Sequence, residues 1–155
     1  MANLIIVKNE YRNNDALKNV VNYVKKSDKV RGDVGAQGTL LDNPYYYMDK
    51  INRNYQHDGK KAQHFILSFE VEDNTSSLDP MTLGYEVCAL YPEYQFVFGV
   101  HHNTDQLHIH WAMNPVNMLT GKKFNFTFGE TFSLRKEIAR LLEPYNILCN
   151  LRIDK

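Results

Sequence analysis

The stretch Val100-His101-His102-Asn103-Thr104-Asp105-Gln106-Leu107-His108-Ile109-His110-Trp111 decides the reading of this chain. Apolar residues flank a polar turn on both sides, which predicts strands over 94–101 and 107–113 joined as a hairpin. His108 and His110 stand two apart on the second strand, so both imidazoles leave the same face. Pairing His101 with His108 places Gly99 opposite His110 and Val97 opposite Ala112. One face then carries Val97, Gly99, His101, His108, His110 and Ala112. The other collects Phe96, Phe98, Val100, Leu107, Ile109, Trp111 and Met113. A slip of one residue would push histidines into the apolar row, so the hydrophobic pattern itself selects the register. His102 falls in the core-side row and is excluded as a ligand.

Three histidines in register describe a metal centre better than an ordinary polar face. Neutral imidazoles suit Mn, Zn, Ni or Cu better than Mg or Ca, which prefer oxygen ligands. Three protein ligands with open positions fit a catalytic site rather than a closed structural one. Gly99, with no side chain, is expected to leave open space beside His110 for a metal ion and a substrate phosphate. A cation held there would polarise a phosphoryl oxygen.

Outward from the hairpin, residues 3–7 read as a short buried strand. Leu17, Val20, Val21 and Val24 recur at helical spacing, with Asn14 or Asp15 as the N-cap. Residues 28–61 lack a clean period and are expected to form a long loop with one short helix at most. Residues 63–71 alternate as a strand, with Phe65, Leu67, Phe69 and Val71 facing the core and His64, Ile66, Ser68 and Glu70 opposite. A helix is expected from Pro80 to Leu90, a short strand at 124–128, and a last helix from Thr131 to Leu142. That helix is expected to use Phe132, Ile138, Leu141 and Leu142 as its apolar residues. The tail, 147–153, is a candidate edge strand. This order predicts an α+β fold with a mainly antiparallel central sheet and flanking helices, a two- or three-layer sandwich.

Composition sets the outer limits. The 155 residues balance 18 Lys and Arg against 18 Asp and Glu, and the length suits one domain over residues 1–155. No apolar run reaches the ~20 residues of a membrane span, and no secretory leader is evident. Two cysteines at no metal spacing favour a reducing cytoplasm and no disulfide framework. The neutral total hides segregation: net +4 over 1–61, −7 over 62–121 and +3 over 122–155. Two basic segments thus bracket a centre without Lys or Arg that contains the hairpin histidines. There a cation, rather than basic side chains, would meet a phosphate.

The site also needs a nucleophile. Cys88 has apolar helix neighbours and is expected to be buried, and Ser68 has no base in its motif. Among ten tyrosines, Tyr23 stands out by its place at the edge of the Leu17/Val20/Val21/Val24 stripe, beside Asn19 and Lys26.

At these residues the chain resembles the relaxases, the mobilisation nucleases of conjugative and mobilisable plasmids within the HUH endonuclease superfamily. The resemblance lies in Asn22-Tyr23-Val24 on the first helix and in the strand Gln63 to Phe69. It continues in His101…Asp105-Gln106-Leu107-His108-Ile109-His110, followed by Asn114-Pro115-Val116-Asn117, and in Thr120 to Phe124. It implies an enzyme that nicks one DNA strand at a transfer origin and rejoins it. Tyr23 would attack the scissile phosphate, leaving a 5′-phosphotyrosyl protein and a free 3′-hydroxyl. His101, His108 and His110 would hold a divalent metal, Mn or Mg in use, with Zn, Ni or Cu compatible with a three-histidine set. The expected partners are single-stranded DNA at the nick site and accessory mobilisation proteins, with no membrane. A replication initiator or transposase of the same superfamily, and a non-catalytic DNA-binding module, stay open as alternatives.

Supporting roles follow by position. Asp105 would orient a ligand histidine or simply favour the turn. His64 reaches the site if its strand neighbours the hairpin. Asn114 would touch DNA or only shape the turn before Pro115. Lys25, Lys26, Lys29, Arg31, Lys122 and Lys123 are candidate phosphate contacts. Tyr45, Tyr46 and Tyr47 are candidates for stacking on unpaired bases.

Overall fold

The computed structural model describes residues 1–8, 11–55, 59–102 and 105–154. Among these residues six strands, β1 (Ala2–Val7), β2 (Val34–Gln37), β3 (Gln63–Ser68), β4 (Phe96–His101), β5 (His108–Met113) and β6 (Cys149–Asp154), form one sheet. Their order is β2-β4-β5-β3-β1-β6. Every neighbouring pair is antiparallel except β1 with β6, which is parallel. Among the described residues five α-helices accompany it: α1 (Ala16–Val24), α2 (Ser27–Val30), α3 (Pro44–Tyr55), α4 (Pro80–Cys88) and α5 (Phe128–Leu142).

Two hydrophobic layers follow from strand alternation. On one side of the sheet, Leu4, Phe65, Leu67, Phe96, Phe98, Ile109, Trp111 and Met113 join Leu83 and Val87 of α4 and Leu134, Ile138 and Leu142 of α5. Phe65 stacks on Trp111 at 5.0 Å, and the Trp111 indole donates to the Gly84 carbonyl of α4 at 3.2 Å. On the other side, Leu17, Val20, Val21 and Val24 of α1 pack on Val97, Ala112 and Met48. The expected α+β class therefore holds, as a three-layer arrangement. Among the described residues no helix is long and apolar enough to cross a membrane.

Several local expectations are corrected. The stretch 28–61 is not one long loop. It holds α2, the edge strand β2, paired with β4 from Val34↔Gly99 to Gln37↔Phe96, and the twelve-residue α3. Strand β3 ends at Ser68, and Val71 is largely exposed rather than in the core. The strand expected at 124–128 does not form; an isolated bridge pairs Val116 with Lys123, and α5 already begins at Phe128. Thr127 caps α5 by accepting from the Glu130 amide at 3.2 Å, so its first turn lies earlier than the apolar pattern suggested. Its buried side is Thr131, Leu134, Ile138 and Leu142, while Phe132 is exposed. Asp15 precedes α1 without a capping side-chain bond; Asn13 instead accepts from the Asp15 amide at 3.0 Å.

Candidate active site

Strand pairing assembles the site. The hairpin register runs Val97↔Ala112, Gly99↔His110 and His101↔His108. Strand β3 lies against the other edge of β5, with His64↔Ala112, Ile66↔His110 and Ser68↔His108. Partners in register share a face, so His64, His101, His108 and His110 all emerge beneath the C-terminal end of α1. His101 and His110 stack at 4.0 Å between ring centroids. His102 points elsewhere. Its ring pairs with Asp33 at 2.8 Å and its amide donates to the Lys29 carbonyl at 2.6 Å, which ties the end of β4 to α2.

Gly99 does not leave open space. A Cβ there would run into the Val24 carbonyl oxygen and Val30, so the end of α1 fills the position expected to be empty. The glycine lets the helix terminus come down onto the sheet, and this sets where Tyr23 stands. Leu17, Val20, Val21 and Val24 turn inward, leaving Tyr23, one residue before the anchored Val24, 44% exposed at the stripe's edge. Its ring lies edge-on to three imidazoles: His110 at 5.5 Å, His101 at 5.8 Å and His64 at 6.1 Å. The Lys29 ammonium sits 5.4 Å from the ring centroid.

These side chains border a cleft of about 530 Å³, lined by Tyr23, Lys29, His101, His108 and His110, and further out by Ser68, Glu70, Gln106 and Arg152. Burial holds its histidines neutral. His110 is pushed down to about 2 and His64 to about 4, in both cases chiefly by desolvation, with neighbouring histidines adding to it. His101 and His108 are also lowered, again mainly by burial. All four lone-pair sets are thus unprotonated at neutral pH. Burial raises the Cys88 thiol to about 12, consistent with an inert core cysteine.

Hydrogen bonds constrain the rings. His101 Nε2 lies 2.9 Å from the Val24 carbonyl, which can only accept, so that nitrogen carries the proton and Nδ1 keeps its lone pair. His110 Nδ1 lies 3.0 Å from His64 Nε2, and His64 Nδ1 lies 3.2 Å from the Tyr11 hydroxyl. This chain of Tyr11, His64 and His110 orients the ring from behind, as outer partners of ligand histidines do. Tyr11 went unnoticed in the sequence because it lies 53 residues from His64, in an irregular segment without a motif. His108 Nδ1 is buried and has no hydrogen-bond partner among the described residues.

That donor set fits a divalent transition metal in chemistry: neutral imidazoles, one tautomer fixed by a carbonyl, and one buried nitrogen without a partner among the described residues. Among the described residues, no three His, Cys, Asp or Glu side chains already stand together as a metal-binding group.

The remaining candidates divide by location. Lys29 belongs to the cleft. Lys25 donates to the Leu41 carbonyl at 3.2 Å, while Lys26 and Arg31 are exposed near the same end of α1 and α2. Lys122 and Lys123 follow the opposite, Met113, end of β5 and do not line the cleft. Asn114 is fully buried; it donates to Gln95 at 2.8 Å and accepts from the Val116 amide at 3.3 Å. These bonds shape the turn before Pro115. Asp105 is exposed beside the cleft residue Gln106, and the adjoining turn residues 103–104 lie outside the described residues. Tyr45 packs toward α1, and Tyr46 and Tyr47 form an exposed edge-to-face pair on α3 at 5.1 Å. None of the three lines the cleft.

A half-exposed tyrosine thus stands over a row of neutral histidines on one face of an α+β sheet, and comparison with known proteins gives the family. Residues 11–147 match the relaxase family, MobA/VirD2-like, nuclease domain, and the chain belongs to it. It is 28% identical over 107 residues to protein TraI of Escherichia coli, an overlap of 65% of this chain and 14% of TraI. The chain therefore spans a small part of that relative. Its fold is similar to a solved structure described as the molecular basis of vancomycin resistance transfer in Staphylococcus aureus. The TM-score is 0.53 with 14% identity, over 76% of this chain and 73% of that one.

Proposed function

We propose that this nuclease domain nicks and rejoins one DNA strand at a plasmid transfer origin, with Tyr23 as the nucleophile. The observation that carries the reading is the Tyr23 ring, half exposed, edge-on to His110, His101 and His64 and beside the Lys29 ammonium. The Tyr23 oxygen attacks the scissile phosphorus, its proton passing to solvent as the O–P bond forms. The bond from phosphorus to the 3′-oxygen breaks, and that oxygen takes up a proton as the free 3′-hydroxyl. The product is a 5′-phosphotyrosyl linkage, and the 3′-hydroxyl reverses the step without an external energy source. Lys29 favours the anionic phosphate beside the ring, and burial of the imidazoles keeps competing positive charge out of the floor of the cleft.

His101, His108 and His110 would hold a divalent cation, with Mn or Mg in use and Zn, Ni or Cu also matching the donors. When bound, it supplies charge that polarises the scissile phosphate. His64 and Tyr11 hold the His110 ring in place. Accessory mobilisation proteins and a cytoplasmic setting belong to the same reading.

The test is incubation with labelled single-stranded oligonucleotides carrying candidate transfer-origin sequences, in Mn and in chelator. Covalent attachment of label to wild-type protein, lost in Tyr23→Phe, supports the reading. Attachment that persists in Tyr23→Phe refutes the nucleophile.

A further inference from the structure

The sheet face that bears the histidines does not stop at β5. Register carries two rows across it. One runs His101, His108, Ser68, Asn3, Asn150, and the other Gly99, His110, Ile66, Ile5, Arg152. Helix α1 covers β4 and β5 on this side, and α5 packs on β6 from the opposite layer. Beyond β5 the face is partly open: Asn3, Ile66 and Ser68 are half-buried, and Asn150 and Arg152 are exposed. It is continuous with the catalytic cleft, since one cavity is lined both by Tyr23 and the histidines and by Asn3, Ile5, Ile66, Ser68 and Arg152.

We propose that this open face is the track for the single strand flanking the scissile phosphate, and that Arg152 binds a phosphate at its far end. The inference rests on the DNA-nicking reading above and extends it to residues outside the reacting centre. Three strand spacings separate His110 from Arg152, about 14 Å, so the guanidinium serves a phosphate beyond the reacting one. Ile5 and Ile66 give an apolar floor between the two ends, and Asn3, Ser68 and Asn150 offer hydrogen bonds beside it. Charge is complementary. Lys29 and Arg152 mark the two ends, Arg152 has no ion pair among the described residues, and the acid at the rim, Glu70, is engaged by the N-terminal ammonium. A guanidinium is also the side chain best shaped to grip phosphate oxygens.

The test measures binding of a fluorescent 16-nucleotide single strand of randomised sequence by anisotropy across a salt series. Wild type, Arg152→Gln, Arg152→Lys and Lys136→Gln are compared, Lys136 being an exposed cation on α5 in the opposite layer. The expected result is a several-fold affinity loss in Arg152→Gln, with the slope of log K against log salt shallower by about 0.7, one phosphate contact on a single strand. Arg152→Lys keeps the wild-type slope, and Lys136→Gln matches wild type. Wild-type behaviour in Arg152→Gln, or an equal loss in Lys136→Gln, overturns the track while leaving the nicking reading intact. Failure of wild type to bind the strand at all also overturns the track, whereas the nicking reading falls only if transfer-origin oligonucleotides are never attached covalently.

Discussion

The Tyr23 ring meets the His110 imidazole edge-on, 5.5 Å between centroids, although the two residues lie on different layers of the fold. The relationship depends on Gly99, directly opposite His110, whose missing side chain admits the Val24 carbonyl at the end of α1. Tyr23 is thereby placed by a contact that it does not itself make.

Replacing Gly99 by alanine tests that dependence. The added methyl meets backbone rather than a flexible side chain, so overpacking should cost about 1–3 kcal/mol. Chemical denaturation should show the loss. DNA attachment should fall further than the folded fraction does, because α1 must move to accommodate the methyl. An unchanged midpoint would mean that α1 is not seated on Gly99.

His108→Ala and His110→Ala should each weaken Mn binding, measured by calorimetric titration, whereas His102→Ala should not. His102 bonds to Asp33 and to the Lys29 carbonyl, and truncating its ring removes only the first. The expected effect of that variant is a stability loss of about 1 kcal/mol. Equal loss of metal affinity in all three variants would contradict the placement of the ligands.

Strand alternation made this division of the histidines legible in the sequence. The apolar row from Phe96 to Met113 leaves one register that buries it, and the structure uses that register. Helix α1 was legible for the same reason, since Leu17, Val20, Val21 and Val24 form a continuous stripe. Strand β2 was not, because Val34, Gly35, Ala36 and Gln37 have little strand character and pair by virtue of β4 beside them. Nor was α3, which buries only Pro44 and Met48 among polar residues and tyrosines. Gly99 was misread because a sequence shows that a side chain is missing without showing what takes its place.

The hydrogen-bonded chain behind His110 yields a separate expectation. His64→Ala leaves His110 Nδ1 without the partner now 3.0 Å away. An unsatisfied buried group of this kind should cost about 1–3 kcal/mol. Tyr11→Phe, which removes only the hydroxyl at the half-buried end, should cost less, about 0.5–1.5 kcal/mol. Thermal or urea melts rank the two, and the reverse order would mean that Tyr11 rather than His64 supports the ring.

Asn114 offers a check on the DNA surface. Its amide is fully buried and bonded to Gln95 and the Val116 amide. Asn114→Ala should therefore destabilise the fold by about 1–3 kcal/mol and leave the DNA affinity of the folded protein unchanged. Anisotropy on the fraction that remains folded makes the comparison. A selective loss of affinity would place Asn114 at the DNA interface.

On the proposed mechanism one tyrosine of ten becomes joined to DNA. Mass spectrometry of peptides from protein trapped with a cleaved oligonucleotide locates the linkage directly. The expected result is a nucleotide phosphate on the peptide containing Tyr23, attached through the phenolic oxygen, and no adduct in Tyr23→Phe. An adduct on Tyr11, on any other tyrosine or on a histidine would contradict it.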